Sequence, residues 1–191
     1  MATVASPFGF QLRRHPTGQS RANAYTILAS YATAIGEHDF VSLATDGTIQ
    51  LTAAGANDTF GQFAGVTYTD ATGKPTTSNF WPGAVTGATN IVCWVYDDPD
   101  NVFEVQVATG GTGYVQASIG DQADLVAGTV NTATGRGTQA LNAALKGAAG
   151  QGQFRIVGFG SDGVYDATAN TFPTVLVQQA RHQFMALKVA I

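Results

Sequence analysis

A chain of 191 residues can bury roughly 70% of its unfolded surface, enough for one self-sufficient core. Only 12% of it is charged, against about 25% in an ordinary globular domain, while 45% is hydrophobic; such a surface is better suited to being covered by neighbours than to staying dispersed alone. A net charge of −4, with Arg13-Arg14 as its one adjacent Lys/Arg pair, argues against a phosphate-binding coat, and no apolar run approaches the ~20 residues that span a bilayer.

Met1 to about Asn23 carries Pro7, Gly9, Pro16 and Gly18 and has neither a 3.6 nor a 2 period, so it reads as an extended arm, residues 1–23, ahead of one β-rich domain, residues 24–191. Met1 to Arg14 also lacks the apolar stretch of a signal peptide. Phe8-Gly9-Phe10 suggests an anchor that docks on the protein's own body or on a neighbouring subunit.

From Ala24 onward short strands alternate with turn chemistry. Phe40–Leu43 runs into Asp46-Gly47, whose glycine supplies the positive φ of a tight hairpin, and Ile49–Leu51 resumes the alternation. Phe60 to Tyr68 is a strand, Asp70 to Pro75 a turn carrying Gly73, and Ile91 to Tyr96 a central, largely buried strand. Cys93 lies in that apolar run. Being the single cysteine, it excludes an internal disulfide or a cysteine zinc site and reads as a small buried hydrophobe.

Further on, 108–114 is a Gly-rich turn, and 120–125 and 128–137 are polar connections. Thr138 to Ala149 is predicted as one short helix, with Leu141 and Leu145 at i, i+4. Gln153 to Phe159 and Val175 to about Val189 are the last strands, separated by a turn at Asp162-Gly163 and by Pro173. Phe154 and Ile156, then Val157 and Phe159 after a change of face, suit a strand buried on both sides. The fold class expected is all-β: a sandwich or barrel of short antiparallel strands with an extended N-terminal arm and at most one or two short helices.

Catalytic motifs are missing. His15, His38 and His182 sit far apart with no metal-ligand spacing, and no Gly-x-Ser-x-Gly or phosphate-binding loop follows a strand. Gly135-Arg136-Gly137-Thr138 has the atoms of an anion cradle but lacks a preceding strand and a lysine. Asp97, Asp98, Asp100 and Glu104 offer hard oxygens of the kind that hold Ca²⁺, without the loop of an EF-hand; Pro99 favours a plain turn. No catalytic, cofactor or metal site is assigned. Of the two tryptophans, Trp94 reads as core, and Trp81, beside Pro82, as a packing anchor or interface residue.

Ser78-Asn79-Phe80-Trp81-Pro82, then a strand closing in Tyr96-Asp97-Asp98-Pro99, then Val102-Phe103-Glu104-Val105-Gln106, resembles a group of small structural proteins of tailed-bacteriophage virions, the capsid cement or decoration proteins. Gly36 to Leu43 with its Asp-Gly turn, followed by Gly65-Val66, is similar to the same group, and together the likeness runs over roughly residues 6 to 106. It implies a non-enzymatic protein on the outer surface of the capsid. The implied partners are the major capsid protein of the same phage and further copies of this chain, a trimer first among them; neither nucleic acid nor membrane is implied. Phe8, Phe10, Arg13, Arg14 and Trp81 are the expected interface residues. A neck, tail or head-fibre subunit and a carbohydrate-binding β-domain are the alternatives.

Overall fold

The computed structural model describes residues 4–108, 114–147, 150–160 and 172–185. Fifteen strands lie among them: β1 (Gln11–Arg14), β2 (Asn23–Tyr25), β3 (Phe40–Leu43), β4 (Ile49–Leu51), β5 (Gly61–Thr69), β6 (Pro75–Ser78), β7 (Thr89–Tyr96), β8 (Val102–Gln106), β9 (Gln122–Ala123), β10 (Leu125–Val126), β11 (Val130–Asn131), β12 (Arg136–Gly137), β13 (Ala140–Leu141), β14 (Phe154–Phe159) and β15 (Thr174–Gln179). One five-stranded sheet has the order β1-β8-β15-β14-β9; a six-stranded sheet runs β2-β7-β5-β3-β4 with β6 also paired to β5; β10-β13 and β11-β12 form small pairs. All of these pairings are antiparallel, and the fold is an all-β sandwich.

Local turn chemistry accounts for the hairpins. Gly47 has φ +80°, and the Asp46 carboxylate accepts the Thr48 N–H at 3.0 Å, so β3 and β4 pair as the Asp-Gly signal requires. Gly73, at φ +85°, turns β5 into β6 in the same way, with Asp70 Oδ1 accepting the Thr72 and Lys74 N–H groups.

Two cores result. Phe10, Phe40, Phe103, Phe154, Ile156, Val175 and Val177 fill the first, where Phe10 stacks on Phe154 at 4.6 Å and meets Phe40 edge-on at 4.9 Å. Val41, Phe63, Val66, Cys93 and Val95 form one face of the six-stranded sheet, which Ile27, Ile35 and Trp81 cover to make the second. Neighbouring residues Phe40 and Val41 point into different cores, so β3 joins them.

Several expectations change. Part of the segment expected as an arm is built into the body: β1 is hydrogen-bonded to β8, Phe10 is fully buried, and the Phe10 N–H donates to the His38 carbonyl at 2.8 Å. The 138–149 segment forms no helix among its described residues. Ala140–Leu141 pairs with β10, and the Gln139 amide oxygen accepts the Phe40 N–H at 2.7 Å. A spacing of four puts Leu141 and Leu145 on one face of either a helix or a strand, so it does not discriminate between them. Connections 120–125 and 128–137 contain β9 to β12. In β14 Phe154 and Ile156 point inward while Arg155 is exposed, so one side faces solvent; a bulge between Ile156 and Gly158 then returns Phe159 to the first core. The Asp162-Gly163 turn and residues 186–189 lie outside the described residues, as does most of the 108–114 turn.

Candidate functional site

The five expected interface residues do not form one surface. Phe10 and Trp81 are both 0% exposed. Trp81 exchanges two backbone hydrogen bonds with Ile35 and donates its indole N–H to the Tyr31 carbonyl at 3.0 Å, so it is an anchor of the second core and its side chain is not available to a partner. Arg13 is half-exposed and its guanidinium pairs with the Glu104 carboxylate, which is nearly fully buried on β8. Phe8 is half-buried, and Arg14, like Arg13, is exposed.

Trp94 reverses its expected place. Cys93 and Val95 point into the second core, and the period of two turns Trp94 outward, where it is 41% exposed. Burial pushes the Cys93 thiol up to about 12, as befits a small buried hydrophobe. Tyr96 shares the outer face with Trp94, and Gln62 is its cross-strand partner. There a groove of about 450 Å³ is lined by Gln11, Leu12, Glu37, His38, Gln62, Ala64 and Tyr96. His38 holds a left-handed φ of +74°, unusual for a non-glycine, and its Nδ1 lies 2.5 Å from the Gln62 amide nitrogen. Burial lowers the His38 pKa against the opposing pull of Glu37, so the ring is neutral and accepts from Gln62. A second groove, about 480 Å³ and mostly apolar, is lined by residues that include Pro7, Val107, Val126, Ala140 and Phe172.

The acidic segment is the corner at which the chain leaves the six-stranded sheet at Tyr96 and enters the other at Val102. Its carboxylates part company. Asp97 accepts from Asn23 Nδ2 at 2.8 Å and from the Tyr25 hydroxyl; Asp98 Oδ1 accepts the Asp100 N–H at 2.9 Å; Glu104 points away to Arg13. Two histidines distant in sequence arrive here. His15 Nε2 lies 3.2 Å from Asp98 Oδ2, and His182 Nε2 donates to the Asp97 carbonyl at 2.8 Å while its Nδ1 accepts the Phe184 N–H. Burial lowers the His182 pKa, and the neutral ring is a structural tie. No short-range spacing announces either histidine, because β1 and the segment after β15 reach the corner only through long-range pairing.

At 135–138 the anion-cradle geometry is filled from within. Asp39, 2% exposed, lies so close that a Cβ at Gly137 would sit 1.9 Å from its Oδ1, and its Oδ2 accepts the Gly36 N–H at 2.8 Å. Burial raises the Asp39 carboxyl from 3.8 to about 6, the backbone N–H bonds of Gly36 and Gln139 pulling the other way. The folded state therefore holds this proton more tightly than the unfolded chain. Its stabilising contribution is complete below pH 3.8 and is lost as pH rises through about 6. Denaturant titrations from about pH 3 to about pH 8 are expected to show the parent losing about 3 kcal/mol relative to Asp39→Asn across that window. A constant difference between the two chains would refute the shift.

A scan against protein-family models finds no match. Searches of the curated proteins and of the solved structures likewise return no similar chain. What the fold and its surfaces define is an all-β sandwich with an aromatic outer face and an acidic inter-sheet corner.

Proposed function

We propose that this protein is a non-enzymatic structural subunit of a tailed-bacteriophage virion, a cement or decoration protein on the outer surface of an icosahedral head. It bridges major capsid subunits and stabilises the expanded shell by binding that state in preference to others. The observation that carries the reading is the likeness of Ser78–Pro82 and Tyr96–Gln106 to that group, two segments that here supply the Trp81 anchor and the inter-sheet corner.

Physical features are in keeping with it. A surface with few charges suits broad, static contact. Strands β1 and β2 lie at sheet edges, positions to which a partner strand can add. A trimer at three-fold junctions would meet three equivalent patches and gain avidity.

Copy number tests the proposal. Quantitative mass spectrometry of density-purified virions is expected to give this chain at a ratio near one, or one-third, to the major shell protein. Roughly a dozen copies would place it in the neck, tail or head fibres instead, and absence from the particle would overturn the virion reading.

One observation favours a second reading, a carbohydrate-binding β-domain: Trp94 is exposed on the sheet face that carries Gln62 and Tyr96. Aromatic faces of this kind stack on sugars. Glycan-array binding that disappears in Trp94→Ala would support it, and an array without signal would remove it.

A further inference from the structure

The corner brings together three metal-ligating side chains that the reading above does not use. His15 follows β1, while Asp98 and Asp100 lie between β7 and β8, and one ligand atom of each lies within 4.8 Å of the others. The His15 side chain is only 9% exposed, yet its Nε2 makes no hydrogen bond. Asp98 Oδ2 is 3.2 Å away, close enough but not aligned for one. Two atoms that lie near each other without pointing at each other are what a shared third atom produces. Ligands about 2.0–2.2 Å from one ion lie roughly 2.8–3.6 Å apart at octahedral or tetrahedral angles, and the observed 3.2 Å falls in that interval.

Each of the three is held by a partner other than an ion. The Thr17 N–H donates to His15 Nδ1 at 3.2 Å, and Thr17 Oγ1 lies 2.7 Å from the same nitrogen. Asp98 Oδ1 accepts the Asp100 N–H, which leaves Oδ2 turned toward the imidazole. Asp100 Oδ1 accepts from Gln178 Nε2 of β15 at 3.2 Å. Such outer contacts orient the ligands of metal sites.

We propose that His15 Nε2, Asp98 and Asp100 form a binding site for a divalent transition-metal cation, Zn²⁺ being the best match, with water completing the shell. One imidazole with two carboxylates selects a borderline ion over Ca²⁺ or Mg²⁺, which favour oxygen alone. On binding, the ring proton leaves Nε2 for Nδ1, where it is donated to the Thr17 hydroxyl in place of the bond accepted from the Thr17 N–H, and the Nε2 lone pair is freed for the ion. The cation ties the segment after β1 to the corner and to β15, and so joins three distant parts of the chain. This inference stands whether or not the protein is a capsid subunit.

Isothermal titration of the full chain, stripped with chelator, tests the site with ZnCl₂, and with CaCl₂ and MgCl₂ as comparators. One-to-one Zn²⁺ binding in the micromolar range or tighter is expected, weakened about ten-fold or more in both His15→Gln and Asp98→Asn. Asp70→Asn, altered in a distant exposed turn, is expected to bind like the parent. X-ray absorption of the Zn²⁺-loaded parent is expected to show a nitrogen and oxygen shell with an imidazole signature, a measurement independent of how the variants fold. Absence of saturable binding, parental affinity in both variants, or a shell without imidazole would each overturn the assignment.

Discussion

Replacing Trp81 with alanine is expected to remove about 3–5 kcal/mol of stability, a large share of the roughly 5–15 kcal/mol that holds a domain folded. The indole is fully buried in the second core, packs edge-on to Tyr68 at 5.8 Å, and donates to the Tyr31 carbonyl. Truncation empties a large volume and leaves that carbonyl without its donor. Trp94→Ala supplies the contrast. With 41% of Trp94 already exposed, its loss is expected to cost less than about 1 kcal/mol. Urea denaturation of both variants checks the pair, and equal losses would show that Trp81 is not the anchor described.

Gly36→Ala is expected to be comparably severe, at about 3 kcal/mol or more, for a different reason. A Cβ at this position would lie 2.3 Å from Gly137 N and 2.7 Å from both Gly137 Cα and Arg136 C. All three are main-chain atoms, so no side chain can swing aside. Relief requires the β11-β12 hairpin to move away, which breaks the bonds from the Glu37 N–H to the Gly135 carbonyl and from the Gly137 N–H to the Glu37 carbonyl, 2.9 and 2.8 Å long. Gly147, with nothing within 4 Å of the corresponding Cβ and no positive φ, is the control, and Gly147→Ala is expected to be neutral or slightly stabilising. Hydrogen exchange at the Glu37 and Gly137 amides would localise the damage. Unchanged protection there in a folded Gly36→Ala chain would contradict the contact.

The contrast between Trp81 and Trp94 shows how a candidate site can be misread. Both sit in apolar, strand-like surroundings. An apolar run nevertheless leaves open which of its residues faces a core, and β7 exposes Trp94 because only its Cys93-Val95 face is covered. Trp81 lies in a short bridge to Ile35 that closes over the opposite side. Phe10 and Trp81, expected at an interface, lie in the cores for the same reason: segment character marks an anchor, and only packing says whether the anchor serves its own chain.

By itself the sequence determined the all-β class, the β3-β4 hairpin through Asp46-Gly47, the turn from Asp70 to Pro75 but for Pro75 itself, which begins β6, and the buried place of Cys93. Turn chemistry and the period of two act within a few residues, and no distant segment is needed to impose them. Tertiary structure alone decided that β1 joins β8, that Leu141 lies in a strand, that Asp39 lies against Gly137, and that His15 and His182 meet at the corner of Asp97 to Asp100. Those choices depend on which segments, far apart in the chain, bury one another's faces, and that is a property of the assembled sheets.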